Sequence, residues 1–271
     1  MILAAAQEIP VTIFDRKAKL SLVKTGATAR DLNIASTSAA GQTEVDPIGF
    51  ISRLKRYLSP QIFETILKDE NGNLYTSHRR EITVVFLDLR GFTAFSDAAE
   101  PEEVLDLLRT FHAEMGKLIW HYDGTLERFT GDGLMVFFND PRPHKDHTER
   151  AVRMALQMRD RAKELRAGWL KRGYDLDLGI GLATGYAALG NIGFEGRMDY
   201  GAVGNVTNLA SRLCMEAEGG EILTDLKTLG RIDGVVEAGP IREMRLKGLV
   251  RTVKGLNVLK LREEKQAISE N

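Results

Sequence analysis

The sequence predicts an α+β fold of the ferredoxin-like split βαβ type (βαββαβ). Extra strands follow at the C-terminus, and a short N-terminal extension with a helical segment comes first. Three observations carry this prediction. "EITVVFLDL" (81–89) is an almost continuous apolar, β-branched run, as expected of a strand buried on both faces. "TLERFTGDGLMVFF" (125–138) sets two apolar runs around a Gly-Asp-Gly corner, which reads as a hairpin. Amphipathic segments at 101–122 and 146–166 bracket that hairpin with helices, giving the order β-α-β-β-α-β once the strands after residue 175 are added.

The elements follow in order. Residues 1–46 read as an extension with possible strands in "VTIFDRKAKLSLV" and a polar linker in "STSAAGQTE". Residues 47–78 form a helical linker or dimerisation segment. Ile51, Leu54, Tyr57 and Leu58 recur at helical spacing, and Ser59-Pro60 restarts a second helix as N-cap and first residue, ending at Asn71-Gly72. This basic amphipathic stretch is expected to pack on its own domain or a partner helix rather than on a membrane. Residues 79–262 make the main domain, and 263–271 a polar tail. The helix at 101–122 opens on Pro101-Glu102-Glu103 and presents Val104, Leu107, Leu108, Phe111 and Leu118. The helix at 146–166 turns Val152, Ala155, Leu156 and Met158 inward. "LDLGIGLAT" and "YAALGNI" read as a pair of strands and "GNVTNLASRLCMEA" as a helix. "GEILTD", "GVVEAG" and "VKGLNVLKL" supply further strands.

Composition narrows the function. The 271 residues carry a net charge of −1 and 43% hydrophobic content, enough for one or two globular domains. That balance argues against bulk nucleic-acid binding. A single cysteine, Cys214, excludes an intramolecular disulfide framework, fits a reducing cytoplasm, and is expected to pack against the core. No apolar run is long enough to span a bilayer, and "MILAAAQEIP" lacks a basic leader, so neither an integral membrane segment nor a signal peptide is expected.

Chemistry concentrates at two acidic residues. Asp88 is the charged residue near the end of the buried run 81–89, where an isolated carboxylate is costly unless something positive neutralises it. The split βαβ order lays the end of that strand beside the hairpin tip, so Asp88 and Asp132 should meet. Two carboxylates at one site repel unless a divalent cation lies between them, and hard oxygen ligands favour Mg²⁺ or Mn²⁺. Asp88 and Asp132 are therefore the candidate metal-site residues, and Leu89, next to Asp88, is counted with them. The glycine turn and helix start of "LRGFTAFS" put the main-chain N–H groups of Phe92 and Thr93 in position to face an anion.

Four stretches, "VVFLDLRGFTAFS", "ERFTGDGLMVFF", "GNIGFEGRMDYGAVGNVTNLASRL" and "MRLKG", resemble the signature regions of class III nucleotidyl cyclases, the adenylate and guanylate cyclases, in the same order over residues 79–260. The resemblance implies two metal ions, Mg²⁺ or Mn²⁺, on Asp88 and Asp132. It gives Asn208 the task of orienting the ribose and Arg212 that of stabilising the transition state. Lys247 matches the lysine that holds the terminal phosphates. It also implies a homodimer whose active sites are shared at the interface, metal aspartates from one chain and the remaining groups from the other. Phe194 and Arg197, in "GFEGRMDY", are then expected to contact the partner.

Base recognition departs from the family pattern. Many adenylate cyclases of this family have Lys and Asp or Thr where this chain has Arg128 and Gly201. Arg128 offers only donors, which suits adenine N1 and not the donor edge of guanine. Gly201 offers no acceptor for an amino group, so another group must supply it, and Asp199 is a candidate. The expected activity is conversion of a nucleoside triphosphate, ATP first, to its 3′,5′-cyclic monophosphate. The alternatives are cyclisation of UTP, CTP or GTP, or nucleotide binding without turnover. His144 and His147, in "NDPRPHKDH", are expected to face solvent.

Overall fold

The computed structural model describes residues 47–68, 76–249 and 251–262. The strands and linker expected within 1–46, the Asn71-Gly72 stop and the tail at 263–271 lie outside the described residues. The chain divides into two compact parts, one ending at Tyr57 and the other starting at Leu58. In the first, Pro47–Leu54 is a helix (α1) followed by a 3₁₀ turn, Lys55–Tyr57. Its Ile51, Leu54 and Tyr57 are exposed.

The second part opens with α2 (Pro60–Lys68) and enters the sheet through β1 (His78–Arg90). A short helix α3 (Phe92–Ala98) and the long α4 (Pro101–His121) follow, then the hairpin of β2 (Thr125–Thr130) and β3 (Gly133–Phe138). Helix α5 (His147–Leu170) leads to β4 (Asp177–Phe194) and β5 (Arg197–Val203), and α6 (Asn205–Glu216) returns across the sheet. The chain finishes with β6 (Ile222–Asp225), the single-turn α7 (Leu226–Leu229), β7 (Val236–Ala238), β8 (Arg242–Met244) and β9 (Val253–Leu261).

Strand order is β2-β3-β1-β4-β6-β9-β7, with β5 on β4 and β8 on β9. The first four strands reproduce the antiparallel split βαβ arrangement, β1 lying between β3 and β4. Being central, β1 is covered on both faces, which explains its unbroken apolar run. Its odd-numbered residues Val85, Leu87 and Leu89 join a core with Phe111 and Met115 of α4 and Val152, Ala155 and Met158 of α5. Its even-numbered residues Ile82 and Val84 join a second core with Val206, Ala210 and Leu213 of α6. Helix α4 begins with a capping box between Glu100 and Glu103 and Pro101 at its first position, as its opening residues predict.

Three expectations need correction. "LDLGIGLAT" and "YAALGNI" are not a strand pair; both lie in the single 18-residue strand β4, whose hairpin partner is β5. Gly185, the apparent break, is where the strand passes under Val206, whose Cβ would lie 3.3 Å from a Cβ at that position. His147 does not face solvent. It is buried, and its Nδ1 lies 2.7 Å from Thr83 Oγ1, which also meets Thr184 Oγ1 at 2.8 Å. Burial lowers the pKa of this imidazole, keeping it neutral within the hydroxyl network. His144 is partly buried and lies 2.8 Å from Asp123.

Helix α6 lies almost on the backbone of β4. A Cβ at Gly181 would stand 2.0 Å from the Cys214 nitrogen and 2.3 Å from the Ala210 oxygen. Gly181→Ala must therefore lift α6 from the sheet. It is expected to cost about 3 kcal/mol, the upper end of overpacking penalties, read as a lowered urea midpoint.

Candidate active site

Asp88 lies one residue beyond Leu87, which pairs with Leu134 of β3, so the end of β1 and the hairpin tip are neighbours. Gly133 shares that junction: a Cβ there would be 3.2 Å from Asp88 Oδ1 and 3.1 Å from the Leu87 carbonyl oxygen. Asp132 faces Asp88 across it. Burial, and after it the Asp88 charge, push the Asp132 carboxyl up to about 6, while the main-chain N–H groups of Asp132 and Leu89 pull it down. The two aspartates thus meet as the sequence predicts, and they repel.

Arg90 was not foreseen. It lies two residues past Asp88 and hence on the same face of β1. Its Nη1 donates to Asp88 Oδ2 at 2.7 Å. Its Nε donates to the Ala217 carbonyl at 2.7 Å, and its Nη2 to that of Cys214, at the C-terminal end of α6. One guanidinium thereby neutralises the strand-end carboxylate and satisfies helix-end carbonyls. Cys214, packed against this junction, is buried, with its thiol pushed up to about 12 by that burial.

Among the described residues no three His, Cys, Asp or Glu side chains gather into a metal cluster. The Asp88–Asp132 pair still fits a divalent cation by its chemistry. It offers hard carboxylate oxygens whose mutual repulsion a cation relieves, and a two-carboxylate site leaves coordination positions for phosphate oxygens. Next to it, Gly91 begins α3 with φ +82°, and a Cβ there would come 2.6 Å from the Asp175 carbonyl oxygen. Phe92 and Thr93 are the first two residues of α3, and the Phe92 ring packs 5.9 Å from that of Phe95.

Asn208 and Arg212 are one turn apart on α6, Asn208 exposed and Arg212 partly so. Arg212 Nη1 contacts Met215 Sδ at 3.2 Å, and its Nη2 lies 4.0 Å from where a Cβ on Gly248 would be. It therefore reaches the loop that carries the exposed Lys247. Arg128 lies in β2 and Gly201 in β5. Asp199, the candidate acceptor, is exposed and paired instead with Arg197 at 3.2 Å.

Sequence reasoning also missed Asp140, which is 1% exposed. It accepts from His78 Nε2 at 2.8 Å and from the Tyr200 hydroxyl, and it forms an ion pair with Arg80 Nη1 at 3.0 Å, whose hydrogen bond goes to the Asn139 carbonyl. Burial, with Asp140 as acceptor, raises the Tyr200 pKa, so the phenol stays a donor. The residue before Gly201 is thus pinned to the start of β1. Phe194, at the end of β4, is 70% exposed, and Ile192 and Met198 of the same hairpin are exposed with it.

Comparison with known proteins gives the family of this chain. The family model described as "Adenylate and Guanylate cyclase catalytic domain" matches residues 74–256. The crystal structure of the adenylyl cyclase CyaB from P. aeruginosa is 38% identical, covers 69% of this chain and 97% of that one, and superposes with a TM-score of 0.66. That of the guanylyl cyclase Cya2 is 34% identical, covering 70% and 97%, also with a TM-score of 0.66. Adenylate cyclase 1 of Rhizobium meliloti is 29% identical over 173 residues, 63% of this chain and 26% of the relative. The chain thus spans about a quarter of that curated relative's length. No helix among the described residues is long and apolar enough to cross a membrane. The matched span holds Asp88, Arg128, Asp132, Gly201, Asn208, Arg212 and Lys247, and this chain belongs to the adenylate and guanylate cyclase catalytic domain family.

Proposed function

We propose that the chain is a nucleotidyl cyclase converting a nucleoside triphosphate, ATP first, to its 3′,5′-cyclic monophosphate and pyrophosphate for signalling. The observation that carries the reading is the facing pair of Asp88 and Asp132, with the Asp132 carboxyl raised to about 6. Two carboxylates held this close are matched to divalent cations. Such cations, Mg²⁺ or Mn²⁺, would acidify the ribose 3′-hydroxyl and neutralise charge on the triphosphate when bound. Asp88 and Asp132 would hold them, with Leu89 contributing from the main chain.

The chain's other residues take the remaining tasks. Asn208 orients the ribose so that the 3′-oxygen lines up with the α-phosphorus. Arg212 donates its planar fork to the phosphoryl group as the new P–O bond forms and the bond to pyrophosphate breaks. Lys247 holds the terminal phosphates as a compact charge, and the N–H groups of Phe92 and Thr93 face the same anion. Arg128 and Gly201 border the base. Catalysis is mainly positioning and electrostatics. The exposed apolar arm of Ile192, Phe194 and Met198 supports a homodimer in which each site draws on both chains.

A pyrimidine triphosphate is the second reading, favoured by the donor-only Arg128 and the missing side chain at Gly201. Incubating the purified protein with Mn²⁺ and each of the four nucleoside triphosphates, with products identified by mass, separates the readings. Cyclic AMP is the expected product, and absence of any cyclic nucleotide would overturn the proposal. The metal assignment has a separate readout. Millimolar Mn²⁺ should raise the thermal midpoint of the protein, and Asp132→Asn should abolish that rise.

A further inference from the structure

Strand β2 carries a bulge. Leu126 pairs with Val136 and Arg128 with Met135, so Glu127 is the extra residue, and adjacent side chains are not forced to opposite faces. Glu127 uses that freedom to grip its neighbour. Arg128 Nε donates to Glu127 Oε2 at 2.8 Å and Arg128 Nη2 to Oε1 at 2.6 Å. The Glu127 side chain is only 2% exposed, whereas that of Arg128 is 58% exposed. The carboxylate is therefore a buried anchor and the guanidinium a presented group.

What makes room for the anchor is on another strand. A Cβ at Gly201 would lie 2.6 Å from Glu127 Oε1 and 3.0 Å from Ile192 Cδ1. Gly201 sits within β5, opposite Gly190 of β4, and has no positive φ to explain its being glycine. The space that a side chain at 201 would enter is taken by the Glu127 carboxylate.

We propose that Glu127 is the positioning residue of base recognition, fixing Arg128 by a bidentate pair made in the space that glycine leaves at residue 201. The inference rests on the cyclase reading above. In it, Nη1 of Arg128, which takes no part in the pair, is the donor turned to the base, and Glu127 acts through Arg128 without touching the base. Glu127, Arg128 and Gly201 form one unit: a side chain at 201 would displace the Glu127 carboxylate from the place where it holds Arg128.

The test is a double-mutant cycle of Glu127→Ala, Gly201→Asp and the two combined. Each is assayed for kcat and KM with Mn²⁺ and each of the four nucleoside triphosphates, and for its thermal midpoint. Glu127→Ala frees the guanidinium. KM for the preferred nucleotide should rise about tenfold, more than kcat falls, and preference over the next nucleotide should drop about tenfold. Gly201→Asp alone drives a second carboxylate into Glu127, lowering both the midpoint and selectivity. In the combined variant the introduced carboxylate takes the vacated space and holds Arg128, so selectivity and midpoint both recover toward wild type. If wild type cyclises nucleotide but the combined loss equals the product of the single losses, the proposal fails while the cyclase reading stands. If wild type yields no cyclic nucleotide, the cyclase reading fails and takes the base-positioning role with it. Recovery of the midpoint would then still show that Glu127 and residue 201 compete for one space.

Discussion

Asp88→Ala and Asp132→Ala should each lower cyclic nucleotide formation by about a thousandfold or more, since each removes one of two carboxylates on which triphosphate binding and activation depend. Folding should survive. Asp88 is 43% exposed, and without it Arg90 keeps its bonds to the Ala217 and Cys214 carbonyls. Asp132 offers a sharper control. Its carboxyl is raised from 3.8 to about 6 in the folded chain, so the folded state binds this proton more tightly than the unfolded state. Its contribution to metal-free stability is present at low pH and is lost as pH rises through about 6. Asp132→Asn should therefore equal or exceed wild type in thermal midpoint at pH 7.5 without cations, an advantage that disappears near pH 4. Near-wild-type turnover by either alanine variant at saturating Mn²⁺ would refute the metal assignment.

Mixing two inactive proteins should produce an active one. If Asp88 and Arg212 serve one site from opposite chains, a dimer of Asp88→Ala with Arg212→Ala holds one site with both lesions and one with neither. Random exchange at equal concentration makes half the dimers mixed, so about a quarter of the wild-type sites should return. Each variant alone should stay near background. Exchange verified by mass, with no return of activity, would mean that each chain builds its site alone.

The parts of this arrangement legible in the sequence are those set by period and order. The β1 run ends where Asp88 must meet the hairpin tip because side chains alternate and β1 pairs with β3. The requirement for a positive partner near Asp88 was legible too. Its source, Arg90, stands two residues on and could have been found by the same alternation. What escaped depends on distant segments. His147 looks like a loop residue, but it is buried, and its bond to Thr83, itself bonded to Thr184, ties it to two other elements. Asp140 gathers His78, Arg80 and Tyr200 from well-separated positions. Glu127 escaped because a bulge leaves no sign in local composition, and its consequence appears only beside Gly201. The strands β8 and the single turn α7 are too short for any periodic signal.

The unbroken length of β4 sets where this chain can gain or lose residues. Its 18 residues run about 60 Å, pairing with β1 along Asp177–Leu189 and with β5 along Ala188–Phe194. Alternation along one strand means that a single inserted residue would turn every later side chain to the opposite face. Such an insertion would slide the hairpin out of register with the body and carry Tyr200 and Gly201 away from Asp140 and Glu127. No loop interrupts the strand to absorb the error. The tolerant point is the tip, Glu195-Gly196, where both residues are exposed and Gly196 has φ +99° with open space around it. Length variation in this region should therefore be confined to that tip. A library of one- and two-residue insertions across 177–203, sorted for folded protein, should return survivors there and none between Leu178 and Gly190.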